Sequence, residues 1–119
     1  MADCVVTVPK HLWQVWIEEG DLPGEPWSGY ESHFWVRQPP AQWHIGMRVY
    51  IVAHGKLRGY APIIWSELEC ALNPSRSCLL RGGGAVAVTI AQTIPGFRGY
   101  RYRWWDRRTE VLFPEWRTP

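Results

Sequence analysis

The segment that most restricts the fold is Arg48-Val49-Tyr50-Ile51-Val52-Ala53-His54, followed by Gly55-Lys56 and then Leu57-Arg58-Gly59-Tyr60-Ala61-Pro62-Ile63-Ile64-Trp65. Its first part is rich in β-branched and aromatic residues, the composition that suits a pleated, half-buried surface. Gly55-Lys56 reads as a tight turn, and the second part as the returning strand of a hairpin. Gly59 marks either a bulge or a close approach of another backbone. Pro62 lacks an N–H and so requires an edge or a bend. A chain built on such a hairpin is sheet-dominated.

The remaining segments follow from their periodicity. Cys4-Val5-Val6-Thr7-Val8 is a short β-branched strand. Residues 9–19 form an amphipathic helix, with Pro9 at its first position and Gly20 as its stop. Leu12, Trp13, Trp16 and Ile17 recur there at helical spacing; Trp13 and Trp16 are assigned to the core, whereas Lys10 and His11 face solvent. Ser32-His33-Phe34-Trp35-Val36, Cys78-Leu79-Leu80 and Ala85 to Ile90 are further strands. In Phe97 to Trp105, Tyr100, Tyr102 and Trp104 alternate with Gly99, Arg101 and Arg103, a period of two that gives an aromatic face and an arginine face. The tail Val111 to Trp116 packs back on the rest. At 119 residues one domain is expected: an α+β fold, a small mixed β-barrel of six or seven strands with one or two short helices.

Nine Trp is the compositional anomaly. Each carries an apolar body and an N–H that needs a partner, so a single core does not readily absorb them all. Their density is highest in Trp27-Ser28-Gly29-Tyr30-Glu31-Ser32-His33-Phe34-Trp35. Rings mixed with so many hydrogen-bonding groups suit a pocket for a flat, polar ligand. Trp27, Tyr30 and Trp35 offer stacking faces, and Ser28, Glu31 and His33 offer contacts to a ring edge. Along the strand, Glu31, His33 and Trp35 alternate with Ser32 and Phe34, and Phe34 is assigned to the core. The same residues could instead be ordinary core, as could Tyr60.

Net charge is only +2, but Arg98, Arg101, Arg103, Arg107 and Arg108 lie close together, opposed there only by Asp106. One basic face is expected. The cysteines, Cys4, Cys70 and Cys78, are odd in number and form no CxxC pair, so buried free thiols fit better than disulfides or zinc. His11, His33, His44 and His54 show no metal-binding spacing, and neither metal nor cofactor is expected. Gly82-Gly83-Gly84 lacks the ending of a phosphate-binding P-loop. No apolar run has membrane-spanning length and no signal peptide is visible, so a cytoplasmic chain without a membrane partner is expected.

Two short matches resemble the PUA-like superfamily of small pseudo-barrels, which includes the PUA, ASCH, EVE and YTH domains. Trp27-Ser28-Gly29-Tyr30 resembles the Trp-x-Gly-aliphatic motif that follows the first helix in EVE domains, and the Trp-Ser that opens the YTH pocket. His44-Ile45-Gly46-Met47-Arg48-Val49-Tyr50-Ile51 resembles the group's Gly-Asp-then-apolar-strand signature, with Met47 in place of the usual Asp. The ASCH motif, Gly-x-Lys-x-x-Glu-x-Arg, is met by Gly20 and Glu25 but not by Leu22 and Trp27, which stand where its Lys and Arg belong. The resemblance implies binding of nucleic acid or a modified nucleotide, with Trp27, Ser28, Tyr30, Glu31, His33 and Trp35 as the pocket.

Arg98, Arg101 and Arg103 would then track the phosphates, adding salt-dependent affinity without base preference. Two alternatives stand beside this. One is an ASCH-like amidohydrolase acting on a modified nucleoside; the missing Lys counts against it. A Glu31–His33 pair could do acid–base work, but no catalytic residue is assigned. The other is a protein-interaction module, including self-association, anchored by exposed Trp and Arg.

Overall fold

A computed structural model describes residues 3–19, 32–36, 46–67, 77–81 and 85–116. The described elements are strands β1 (Cys4–Thr7), helix α1 (Lys10–Glu19), β2 (Ser32–Val36), β3 (Arg48–Ala53), β4 (Lys56–Glu67), β5 (Ser77–Arg81), β6 (Val88–Thr89), β7 (Tyr100–Tyr102), a 3-10 turn (Arg107–Thr109) and β8 (Val111–Leu112). Six strands form one mixed sheet in the order β2-β5-β4-β3-β1-β7, and β6 pairs with β8 in a separate two-stranded sheet. β1 runs parallel to β3, and the other pairings are antiparallel. The α+β, sheet-dominated class is as expected. Among the described residues the six-stranded sheet is open, with β2 and β7 as its edges, and so falls short of the closed barrel expected.

The hairpin forms one residue earlier than its composition suggests. Ala53 pairs with Lys56, so the two-residue turn is His54-Gly55 rather than Gly55-Lys56. Both turn residues have positive φ, 51° and 74°, as a type I′ connection requires, and its second position favours glycine. The register then slips: Ile51 pairs with Gly59 and Val52 with Leu57, which leaves Arg58 as the extra residue of a bulge. β4 is long because it serves two partners. Its first half pairs with β3 as far as Pro62, and from Ile63 onward it pairs with β5. Pro62 thus sits at the changeover, where a missing N–H is tolerated.

Both faces of the sheet centre are buried. Cys4, Val6, Val49, Ile51, Ala61 and Ile63 share one cluster with Trp13 and Trp116; Val5, Tyr50, Val52 and Leu57 share the other with Ile94 and Trp105. The alternation along β1 and β3 is thus the period of two expected of strands. Trp13 of α1 meets Trp116 edge-on at 5.5 Å, which docks the tail as expected. Leu12 does not join the core and is 49% exposed. Successive helical residues are about 100° apart, and the buried direction is the one Trp13 takes. Lys10 and His11 are exposed as expected.

Ala85 to Ile90 is not one continuous strand. Val86 bridges Tyr60 of β4, and only Val88 and Thr89 pair with β8. Paired strand is likewise limited to Tyr100–Tyr102 within the longer run expected over Phe97 to Trp105. Cys4 is buried and free, and burial pushes its thiol up to about 12. Among the described residues, no helix is long and apolar enough to cross a membrane.

Candidate nucleic-acid interface

The edge strand β7 is held in place by a buried charge cluster. Asp3 is fully buried just before β1. Its carboxylate accepts from Arg107 Nη2 at 2.8 Å and Nε at 2.9 Å, from Arg103 Nε at 2.9 Å and from the backbone N–H of Arg48 at 3.0 Å. Burial raises the Asp3 pKa, but the bonds from Arg107, the Arg48 backbone and Arg103 outweigh it, and the net direction is down. Arg103 also donates to the carbonyl of Trp105. Beside this cluster, Arg48 stacks its guanidinium 3.9 Å above the Tyr60 ring and pairs with Glu110 at 3.5 Å. Glu110 accepts from Trp105 Nε1 at 2.9 Å. Charge-assisted bonds of this kind are short and directional, so the chain leaving β7 is tied to the start of β1 and to β3.

The three arginines expected to form a phosphate track therefore divide. Arg103 is occupied by Asp3 and holds structure. Arg98 and Arg101 are exposed, and neither has a carboxylate partner among the described residues. The Arg101 guanidinium lies 4.4 Å from the centroid of Phe97. Such a cation–π contact orients the group while its N–H edges stay available. The aromatic residues divide too. Tyr100 is half-buried against the core and meets Tyr102 edge-on at 5.6 Å, whereas Tyr102 remains 49% exposed. Trp105 is buried, but Trp104 is 43% exposed. Burial and the neighbouring Tyr102 hydroxyl push Tyr100 up to about 12, so it stays neutral at ordinary pH.

The pocket residues Trp27, Ser28, Tyr30 and Glu31 lie outside the described residues. His33 and Trp35 occupy alternate positions of β2, opposite Leu80 and Cys78 of β5; their side chains also lie outside what is described. The strand order separates this part of the expected pocket from the basic strand. β2 and β7 are opposite edges of the sheet, with four strands between them in its order. Among the described residues no group of His, Cys, Asp and Glu is arranged to hold a metal ion.

Two features escaped the sequence reading. Asp3 carries no local signal, because its partners lie 45 to 104 residues away. Arg58 reads as an ordinary strand cation, yet it is buried and donates to the carbonyls of Ala53 at 2.9 Å and Trp116 at 3.0 Å. The bulge signal at Gly59 was the one hint that its neighbour might leave the regular alternation. Compared with known proteins, the chain matches no protein-family model, no curated protein and no solved structure.

Proposed function

We propose that the chain is a binding module for nucleic acid or a modified nucleotide, and that its sheet is the core of a small PUA-like pseudo-barrel. The observation that carries the reading is the β7 edge: Arg98 and Arg101 are exposed just before and within β7, and Tyr102 and Trp104 are exposed at its end and just beyond it. Cations without carboxylate partners among the described residues attract phosphate, and exposed rings accept base faces. The pocket of Trp27, Ser28, Tyr30, Glu31, His33 and Trp35 supplies base preference in this reading. With β2 and β7 at opposite edges, the two contacts engage different parts of one ligand.

The test is a binding screen of oligonucleotides containing modified and unmodified bases, run over a salt series. Arg101→Ala is expected to reduce the slope of log affinity against log salt by about 0.7–0.9, the contribution of one phosphate contact. Trp27→Ala is expected to erase base preference and leave that slope unchanged. If no oligonucleotide binds above background at low salt, the reading fails. A protein-interaction role is favoured by a different observation: Val111 and Leu112 of β8 are 60% and 74% exposed. Sedimentation showing a dimer that Leu112→Lys dissolves would support that role.

A further inference from the structure

Trp104 differs from an incidental surface tryptophan because its ring is held on two sides. Its indole Nε1 donates to Gln92 Oε1 at 3.0 Å. The Trp105 ring meets it edge-on at 5.0 Å, with the planes at 90°. Trp105 is itself buried and bonded to Glu110, so this support is part of the core. The ring nevertheless stays 43% exposed. Arg101 is fixed in a comparable way over Phe97, at 4.4 Å. Gln92 and Phe97 belong to the same 91–97 stretch, so Trp104 and Arg101 both lean on it. An oriented ring and an oriented guanidinium, three residues apart in the chain, thus each rest on that stretch, one on Gln92 and the other on Phe97, with Arg98 next to Phe97 in the chain.

We infer that Trp104 is a stacking platform for an unpaired base and that Arg101 and Arg98 hold the adjoining phosphates, which makes single-stranded nucleic acid the ligand of this edge. The inference rests on the nucleic-acid reading above and names a contact outside the 27–35 pocket. Three physical points lead to it. The Trp104 N–H is already used by Gln92, so the ring offers its face rather than a donor, and every base has a face. In a duplex the base faces are covered by their neighbours, and only a single strand can present one to a ring on an open edge. The nearby exposed carboxylate, Asp106, is taken up by Arg108, whereas exposed Arg98 and Arg101 have no carboxylate partner among the described residues, which matches a phosphodiester chain. Because the ring is oriented before binding, little side-chain freedom is lost on contact.

The test uses the full chain with a mixed-sequence, unmodified single-stranded oligonucleotide and a duplex of the same length, followed by fluorescence anisotropy. Wild-type protein should prefer the single strand. Trp104→Ala should weaken single-strand binding on the order of 5- to 150-fold, the loss of one base–aromatic stack, without changing the salt slope. Trp104→Phe should retain most of the affinity, and Gln92→Ala should lose part of it by freeing the ring. Trp104 is at the surface, and matching thermal unfolding curves would show that the variants are folded. Equal binding of duplex and single strand, or an unaffected Trp104→Ala, overturns this platform but leaves the general nucleic-acid reading intact. No binding to any nucleic acid overturns both. A wild-type dimer that Trp104→Ala dissociates, with no nucleic-acid binding, would assign the ring to a protein interface instead.

Discussion

Replacing Asp3 with Ala is expected to cost about 3–5 kcal/mol of folding stability, the penalty of removing one member of a buried ion cluster. The carboxylate is fully buried and accepts bonds from Arg107, Arg103 and the Arg48 backbone. Without it, two guanidiniums converge on a site that has lost its counter-charge, and the part-buried backbone N–H of Arg48 loses its acceptor. Asp3→Asn keeps the shape but not the charge, and should fall between wild type and Asp3→Ala. The effect has a defined pH dependence. The folded-state pKa is lowered, so the stabilisation is fully present above the unfolded-state value of about 3.9. It is lost as pH falls through the folded-state value. Urea unfolding at neutral pH should therefore separate wild type from Asp3→Ala widely, and the gap should narrow under strong acid. A gap that is constant down to acid pH would show that the carboxylate's charge contributes nothing.

Gly59→Ala should be comparably damaging, at about 3–5 kcal/mol. A Cβ at this position would lie 2.4 Å from the Val86 carbonyl oxygen and 3.1 Å from the Ala87 Cα. Both are backbone atoms and cannot swing aside. Relieving the clash means moving the 85–90 segment off β4, which breaks the reciprocal Tyr60–Val86 bonds of 3.0 and 2.8 Å. Overpacking costs about 1–3 kcal/mol, and each backbone bond lost adds about 1. The same segment carries Val88 into the cluster with Tyr50 and Trp105, so Trp105 fluorescence should shift on substitution. A loss below about 1 kcal/mol would show that the 85–90 segment does not press on β4.

These two positions differ in how far the sequence exposes them. Gly59 interrupts a clear strand, and a glycine inside a strand signals a bulge or a close approach; here both occur, since the register slips beside it and Val86 lies against it. Asp3 sits near the chain end without any pattern. The turn falls one residue before Gly55-Lys56 because His54, like Asn, tolerates positive φ, and only the pairing of Ala53 with Lys56 reveals it. Leu12 has the helical spacing of Trp13 and Trp16, but its exposure depends on which direction of α1 meets the sheet. Arg103 and Arg101 look alike in sequence, two residues apart in one alternating run. What separates them is Asp3, one hundred residues away in the chain.

The sequence by itself determined the local conformations: the hairpin, the short β-branched strands, the helix after Pro9 and the returning tail. These depend on backbone preferences and on side-chain periodicity over a few residues, both of which are written in neighbouring letters. Tertiary structure alone decided the strand order, and with it the placement of β2 and β7 at opposite edges of the sheet. It also decided which arginines are consumed by a buried carboxylate and which remain at the surface. Strand pairing and ion pairing act between groups far apart in sequence, and their energy depends on burial and distance that exist only after the chain has folded.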